Sequence, residues 1–199
     1  MAEPADRALL EGLAAVGAAL EDLGVPAMVI GGIAVIARGV PRQTVDVDAT
    51  VWAEAVEVDA LLGLLARHDI RPRIADAAAF AQRHQVLLLR HDPSRTPVEI
   101  SFAWLPFERE ALARATLVDF AGVRVRVATP EDLVVYKAVA WRDRDRSDVE
   151  RLLTLHGDGI DLARVRSLIR EFADALDEPE RVPAFEAIVA RITRPRDEL

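Results

Sequence analysis

The chain has 199 residues, 25 of them Lys or Arg against 33 Asp or Glu, for a formal charge of −8, and it is 51% hydrophobic and 29% charged. That balance supports one full domain with a small appendage and a sizeable core, and excludes a disordered chain. The acidic total argues against a protein that coats nucleic acid non-specifically while permitting a local basic site. The lack of cysteine excludes a disulfide framework, a thiolate zinc site and a Cys nucleophile, and fits a reducing compartment. Met1 to Arg7 has no positive region followed by an apolar stretch, and the longest uncharged run, Leu23 to Ala37, contains three glycines and a proline. A spanning helix needs roughly 20 apolar residues. A soluble, cytoplasmic chain without signal peptide or membrane contact is therefore expected.

In chain order, apolar residues at Leu9, Leu10, Leu13, Val16, Leu20 and Leu23 predict an amphipathic helix over residues 5–23, ended by Gly24-Val25-Pro26. Ala27 to Ile30 reads as a buried strand, broken by Gly31-Gly32 before a short helix from Ile33 to Arg38. Gln43 to Trp52 alternates, with Val45, Val47, Ala49 and Val51 on one side and Thr44, Asp46, Asp48 and Thr50 on the other, predicting a half-buried strand. Helices are expected over about 55–68 and 76–83, strands at 86–90 and 98–102 around the turn Asp92-Pro93-Ser94, a helix from Pro106 to Ala113, and a hairpin about Gly122 ending at Val127. From Thr129 the pattern is helical throughout: Thr129-Pro130-Glu131-Asp132 is a strong helix start, followed by helices over about 147–155, 161–176 and 181–192. The expected organisation is an α/β core with a mixed sheet over residues 1–128 and a helical C-terminal part over 129–199.

Candidate chemistry begins with Thr44-x-Asp46-x-Asp48. On a strand these side chains share a face, roughly 6–7 Å apart, where two carboxylates repel by about 2–3 kcal/mol at an effective dielectric near 20. Such a pair either lines a solvated face or holds a cation. Gly31-Gly32, at a strand-to-helix turn just upstream, permits close backbone approach to a phosphate, or simply makes a tight turn. Together the two features describe how a nucleoside triphosphate and its magnesium would be held. Glu99, flanked by Val98 and Ile100, would add a third carboxylate if its strand pairs beside the 43–52 strand; otherwise it faces solvent. The steps from Lys137 to Trp141, Arg144 and Asp148 place all four on one helix face, which is either an active-site stripe or an exposed salt-bridged surface. Lys137 is the chain's single lysine beside 24 arginines. His68, His84, His91 and His156 show no zinc spacing, and Ser94, Ser101, Ser147 and Ser167 sit in no nucleophile motif. The arginines from Arg38 to Arg95 would either guide an RNA acceptor or solubilise the surface.

The string Gly31-Gly32-x-Ala34-x5-Val40-Pro41-Arg42-x-Thr44-x-Asp46-x-Asp48 resembles the signature of the nucleotidyltransferase superfamily related to DNA polymerase β. Val98-Glu99-Ile100, Leu105-Pro106-Phe107-Glu108, Thr129-Pro130-Glu131-Asp132-Leu133, Lys137 and Arg142-x-Arg144-Asp145-x2-Asp148-Val149 narrow it, being similar to AbiEii-type toxins of toxin–antitoxin pairs and their relatives. The resemblance spans roughly residues 25–155. Glu99 departs from it, standing where aspartate is more usual.

The resemblance implies a transferase in which Asp46, Asp48 and Glu99 bind two Mg2+ ions, with Glu99 also a candidate proton acceptor. It further implies that Gly31 and Gly32 contact an NTP substrate, that Lys137 neutralises its β- and γ-phosphates, and that Arg42, Thr44, Arg144 and Asp148 contribute to nucleotide binding. The acceptor implied is an RNA hydroxyl such as a tRNA 3′ end, or a protein hydroxyl, with a cognate antitoxin as partner; neither a base preference nor an oligomeric state is implied. The competing expectations are a nucleotide- or partner-binding module without turnover, and a small-molecule nucleotidyltransferase of the antibiotic-modifying kind.

Overall fold

The computed structural model describes residues 4–193. The chain divides into two compact units: one runs to Ala37 and resumes over Arg42–Ala128, and the other takes Arg38–Pro41 together with the chain from Thr129 onward. No helix among the described residues is long and apolar enough to cross a membrane.

The first unit is built on a seven-stranded mixed sheet. Its strands are β1 (Ala27–Ile30), β2 (Val47–Trp52), β3 (Ile70–Pro72), β4 (Val86–His91), β5 (Pro97–Ala103), β6 (Thr116–Phe120) and β7 (Val123–Val127), in the order β3-β4-β5-β2-β1-β7-β6. The β2/β5 and β1/β7 pairs are parallel and the rest antiparallel. The helices of this unit are α1 (Pro4–Leu23), α2 (Gly31–Ala37), α3 (Val58–Arg67), α4 (Ala77–His84) and α5 (Pro106–Arg114).

The apolar periodicity of α1 buries Leu13 and Val16, and the helix is pinned where Thr96 Oγ1 donates to the Ala8 carbonyl at 2.8 Å. Val29, Val47, Ala49, Val51, Leu87, Leu89, Val98 and Ile100 form one fully covered face of the central strands. The opposite face is only half covered at Ile30, Asp48, Leu88 and Glu99. A slip of one residue would exchange these two faces. The β2/β5 register is locked by reciprocal bonds: Thr50 Oγ1 donates to the Ser101 carbonyl at 3.2 Å, and Ser101 Oγ to the Ala49 carbonyl at 3.3 Å.

The sequence pattern overextends β2. The strand starts at Val47 because both ladders run out there: β1 turns into α2 after Ile30, whose partner is Asp48, and β5 begins at Pro97, with Val98 opposite Val47. Among the described residues, no strand pairs with 43–46, and Val45 is 74% exposed rather than aligned with the buried valines. Thr50, expected on a solvated face, is fully buried.

In the second unit, α6 (Pro130–Ala140), α7 (Asp143–His156), α8 (Leu162–Leu176) and α9 (Arg181–Thr193) enclose Leu133, Val134, Val149, Leu152, Val165, Ile169 and Phe185. Thr129 caps α6 by accepting from the Asp132 amide at 3.1 Å, with Pro130 in the first turn. Arg38–Pro41 join this unit through the His156 ring on the Arg38 carbonyl (2.7 Å) and the Arg151 guanidinium on the Pro41 carbonyl (2.9 Å).

Candidate active site

One transverse row crosses the half-covered face of the sheet. Ile30 of β1 pairs with Asp48 of β2, Asp48 with Glu99 of β5, and Glu99 with Leu88 of β4. Beyond Leu88, the Arg73 amide donates to the Leu88 carbonyl at 3.0 Å, extending the β3/β4 ladder by one residue past Pro72. Laterally paired residues project from the same face. Asp48 and Glu99 therefore stand one strand spacing apart, about 4.8 Å, in the arrangement that the sequence left conditional on strand pairing.

Gly31 follows Ile30 directly, so the glycine pair abuts this row. Its φ of +64° lies in the left-handed region, and a Cβ there would fall 2.6 Å from Asp48 Cβ and overlap the carboxylate oxygen Oδ2. At Gly32 a Cβ would overlap Thr44 Oγ1 and come within 3.2 Å of Arg42 Nη2. The two glycines are thus required by the side chains packed on them: Asp48 rests on the first, Thr44 on the second. Thr44 Oγ1 donates to Asp46 Oδ1 at 2.6 Å, fixing the first carboxylate of the pair, and Arg42 Nε donates to the Gln43 carbonyl at 3.3 Å. Gly31, Gly32, Arg42, Thr44, Asp46, Asp48 and Glu99 are all members of this neighbourhood.

The donor chemistry of Asp46 and Asp48 suits Mg2+, a hard cation usually held by one or two carboxylates with waters and substrate phosphates completing its shell. The bare Gly31 Cα leaves room for the Asp48 carboxylate, and the Thr44 bond orients Asp46. Asp46 and Asp48 are the carboxylates that could hold such an ion. The Glu99 carboxylate reaches the opposite way along the row, its Oε1 accepting from Arg73 Nη2 at 2.5 Å. Among the described residues no three His, Cys, Asp or Glu side chains gather into a metal-binding group. In the sequence Arg73 is one of many arginines, because the three-residue β3 that aligns it with Glu99 carries too short a pattern to mark a strand.

Lys137, Arg144 and Asp148 lie in the helical unit. They do not share one helix face, because the helix breaks at Trp141, which ends α6 in a left-handed conformation (φ 52°). Lys137 and Asp148 meet instead across the α6/α7 corner. Lys137, 7% exposed, donates to Asp145 Oδ1 at 3.0 Å and stands 3.5 Å from Asp148 Oδ2. Arg142 adds a 2.6 Å bond to Asp145 Oδ2, and its amide is capped by the same carboxylate. Burial alone would raise the Asp145 carboxyl; the hydrogen bonds from Arg142 and Lys137 outweigh it and hold the group below the usual carboxylate range. Arg144 is exposed and stands apart from this cluster.

The fold resembles solved nucleotidyltransferases. A crystal structure of ANT(2″)-Ia with adenylyl-2″-tobramycin matches at a TM-score of 0.52 and 20% identity, over 80% of this chain and 93% of that one. The solution structure of the antibiotic-resistance factor ANT(2″)-Ia matches at 0.50 and 19%, over 87% and 92%. An antigenic nucleotidyltransferase-like protein from Paracoccidioides brasiliensis matches at 0.51 and 17%, over 88% and 90%. No curated protein matches the sequence. A family model described as a nucleotidyltransferase of unknown function (DUF6036) covers residues 9–192. The chain belongs to that nucleotidyltransferase family.

Proposed function

We propose that this transferase moves a nucleoside monophosphate from an NTP to the hydroxyl of a small-molecule acceptor, using Asp46, Asp48 and Glu99. The observation that carries the reading is the row itself: the glycine turn, Asp48 and Glu99 in lateral register, with Asp46 fixed by Thr44. Mg2+ bound at Asp46 and Asp48 would offset charge on the phosphate oxygens as the α-phosphorus is attacked. The acceptor oxygen forms a bond to the α-phosphorus, the bond to the bridging α–β oxygen breaks, and pyrophosphate leaves. Glu99, beside Asp48, is the carboxylate to which the acceptor proton passes. The Gly31 backbone, without a side chain, allows the triphosphate to approach the carboxylates closely.

A small acceptor is favoured over RNA by the local charge balance. Arg71 pairs with Asp92 and Asp69, Arg90 with Asp92 and Arg73 with Glu99, so these arginines of the first unit are matched by acids and form no phosphate track. The ANT(2″)-Ia structure carries adenylyl-2″-tobramycin, which supports the same reading. The tRNA 3′ end, with a cognate antitoxin as partner, is the second reading and rests on the AbiEii-like motifs. Lys137, already matched by two aspartates, is left out of the phosphate machinery in this reading.

The test incubates the protein with each α-labelled NTP, Mg2+ and, separately, a panel of hydroxylated cationic metabolites and total bacterial RNA. Label on a small compound, lost by at least about 100-fold in Asp48→Asn, supports the proposal. Label on RNA alone establishes the second reading, and NTP binding without transfer to either would show a binding module.

A further inference from the structure

The Arg73–Glu99 contact spans two strand spacings, from the end of β3 across Leu88 to β5, and is the feature of the row to which the nucleotidyltransferase reading gives no part in the reaction. Both side chains are accessible, at 36% and 41%, so the pair contributes little to holding the fold together. Its effect falls instead on what Glu99 can do. A carboxylate oxygen that accepts a short, charge-assisted bond from a guanidinium is withdrawn from the set of metal donors, and the guanidinium repels a dication approaching the same place. Arg73 is positioned for this by the backbone, its amide being bonded to Leu88 directly opposite. The carboxylate it engages is the one that departs from the resembled motif, a glutamate whose extra methylene gives the reach away from Asp48.

We propose that Arg73 is a positioning residue that holds Glu99 out of metal coordination, leaving the nucleotide-free protein one divalent-cation site, at Asp46 and Asp48, rather than a three-carboxylate, two-ion site. This inference rests on the nucleotidyltransferase reading of the row. It makes Glu99 a proton acceptor held apart from the metal, with Arg73 setting how many ions the carboxylates take.

The experiment titrates Mn2+ alone, without nucleotide, into the full chain and follows free Mn2+ by electron paramagnetic resonance, with circular dichroism to verify folding. Wild type is expected to bind one ion. Glu99→Gln leaves the Arg73 charge without its counter-charge and should weaken binding severalfold by repulsion alone, whereas Arg73→Ala/Glu99→Gln, which removes both charges, should stay within twofold of wild type, since Glu99 is not a ligand. Arg73→Ala should bind roughly tenfold tighter, as a repelling charge is removed and a donor released. The gain should vanish in Arg73→Ala/Glu99→Gln, and Arg73→Lys should restore weaker binding. The proposal is overturned if Arg73→Ala stays within twofold of wild type, or if Arg73→Ala/Glu99→Gln binds tenfold more weakly than wild type; Arg73→Gln, alone and with Glu99→Gln, gives the same two readouts if Arg73→Ala does not fold. Mn2+ binding that is unaffected by Asp46→Asn and Asp48→Asn would overturn the underlying metal-site reading as well. Binding that depends on those two aspartates but ignores Arg73 would remove this inference alone.

Discussion

Replacing Lys137 with methionine separates two roles for the chain's single lysine. Methionine keeps most of the aliphatic stem and removes the ammonium, leaving Asp145 and Asp148, 1% and 2% exposed, without their shared cation. Breaking a buried ion pair by removing one partner costs about 3–5 kcal/mol. Asp145 retains its 2.6 Å bond from Arg142, which places the expected loss near the lower limit, about 3 kcal/mol. For a chain of this size that corresponds to a fall in Tm of about 6–12 °C. Urea and thermal unfolding measure the loss, and titration with an NTP and Mg2+, at a temperature where the variant is fully folded, should give a Kd within about threefold of wild type. The outcome that would refute the reasoning is the reverse pattern. Unfolding within about 1 kcal/mol of wild type, with NTP affinity reduced tenfold or more, would assign Lys137 to the triphosphate and not to the α6/α7 corner.

The same cluster gives a pH prediction. The Asp145 carboxyl is depressed in the folded chain, so its contribution is fully present above the unfolded value of about 3.9 and is lost as pH falls through the folded value. The stability difference between wild type and Asp145→Asn should accordingly be constant from pH 7 to about 5 and shrink below about 4, as read from urea midpoints; a difference that grows on acidification would contradict the assignment. Gly31→Ala combines a left-handed backbone with the overlap on Asp48. It should cost at least about 1–2 kcal/mol in stability, the backbone penalty alone, and, by displacing Asp48, lower transfer by at least about 100-fold, measured by unfolding and by label transfer on the same preparation.

Much of the site was legible because its residues are close in sequence or bound to strong local signals. Gly31-Gly32 marks a turn whatever lies around it, and Asp46 and Asp48 are only two residues apart. The caps of α6 and the apolar periods of α1, α8 and α9 depend on neighbours within a few positions, and those helices lie close to where the pattern puts them. What was not legible depends on partners distant in the chain. The start of β2 is set by where β1 and β5 stop, and alternation extends past that limit because it registers side-chain order without registering ladder bonds. Glu99 could be proposed for the row but not assigned to it without the β2/β5 register. Arg73 needed two further ladders. Lys137 and Asp148 were associated by helical spacing, yet they meet because the helix ends between them.

The helical unit's short early tetrapeptide, Arg38–Pro41, bears on how the two units could be exchanged between relatives. A graft taken from Thr129 onward would leave behind the carbonyl acceptors that Arg151 and His156 use, and would uncover Val40, which is 2% exposed. The helices would arrive lacking a piece that the chain supplies some ninety residues earlier. Recombination that keeps this unit intact must carry both segments, so the pair should be inherited, and transplanted, as one discontinuous module.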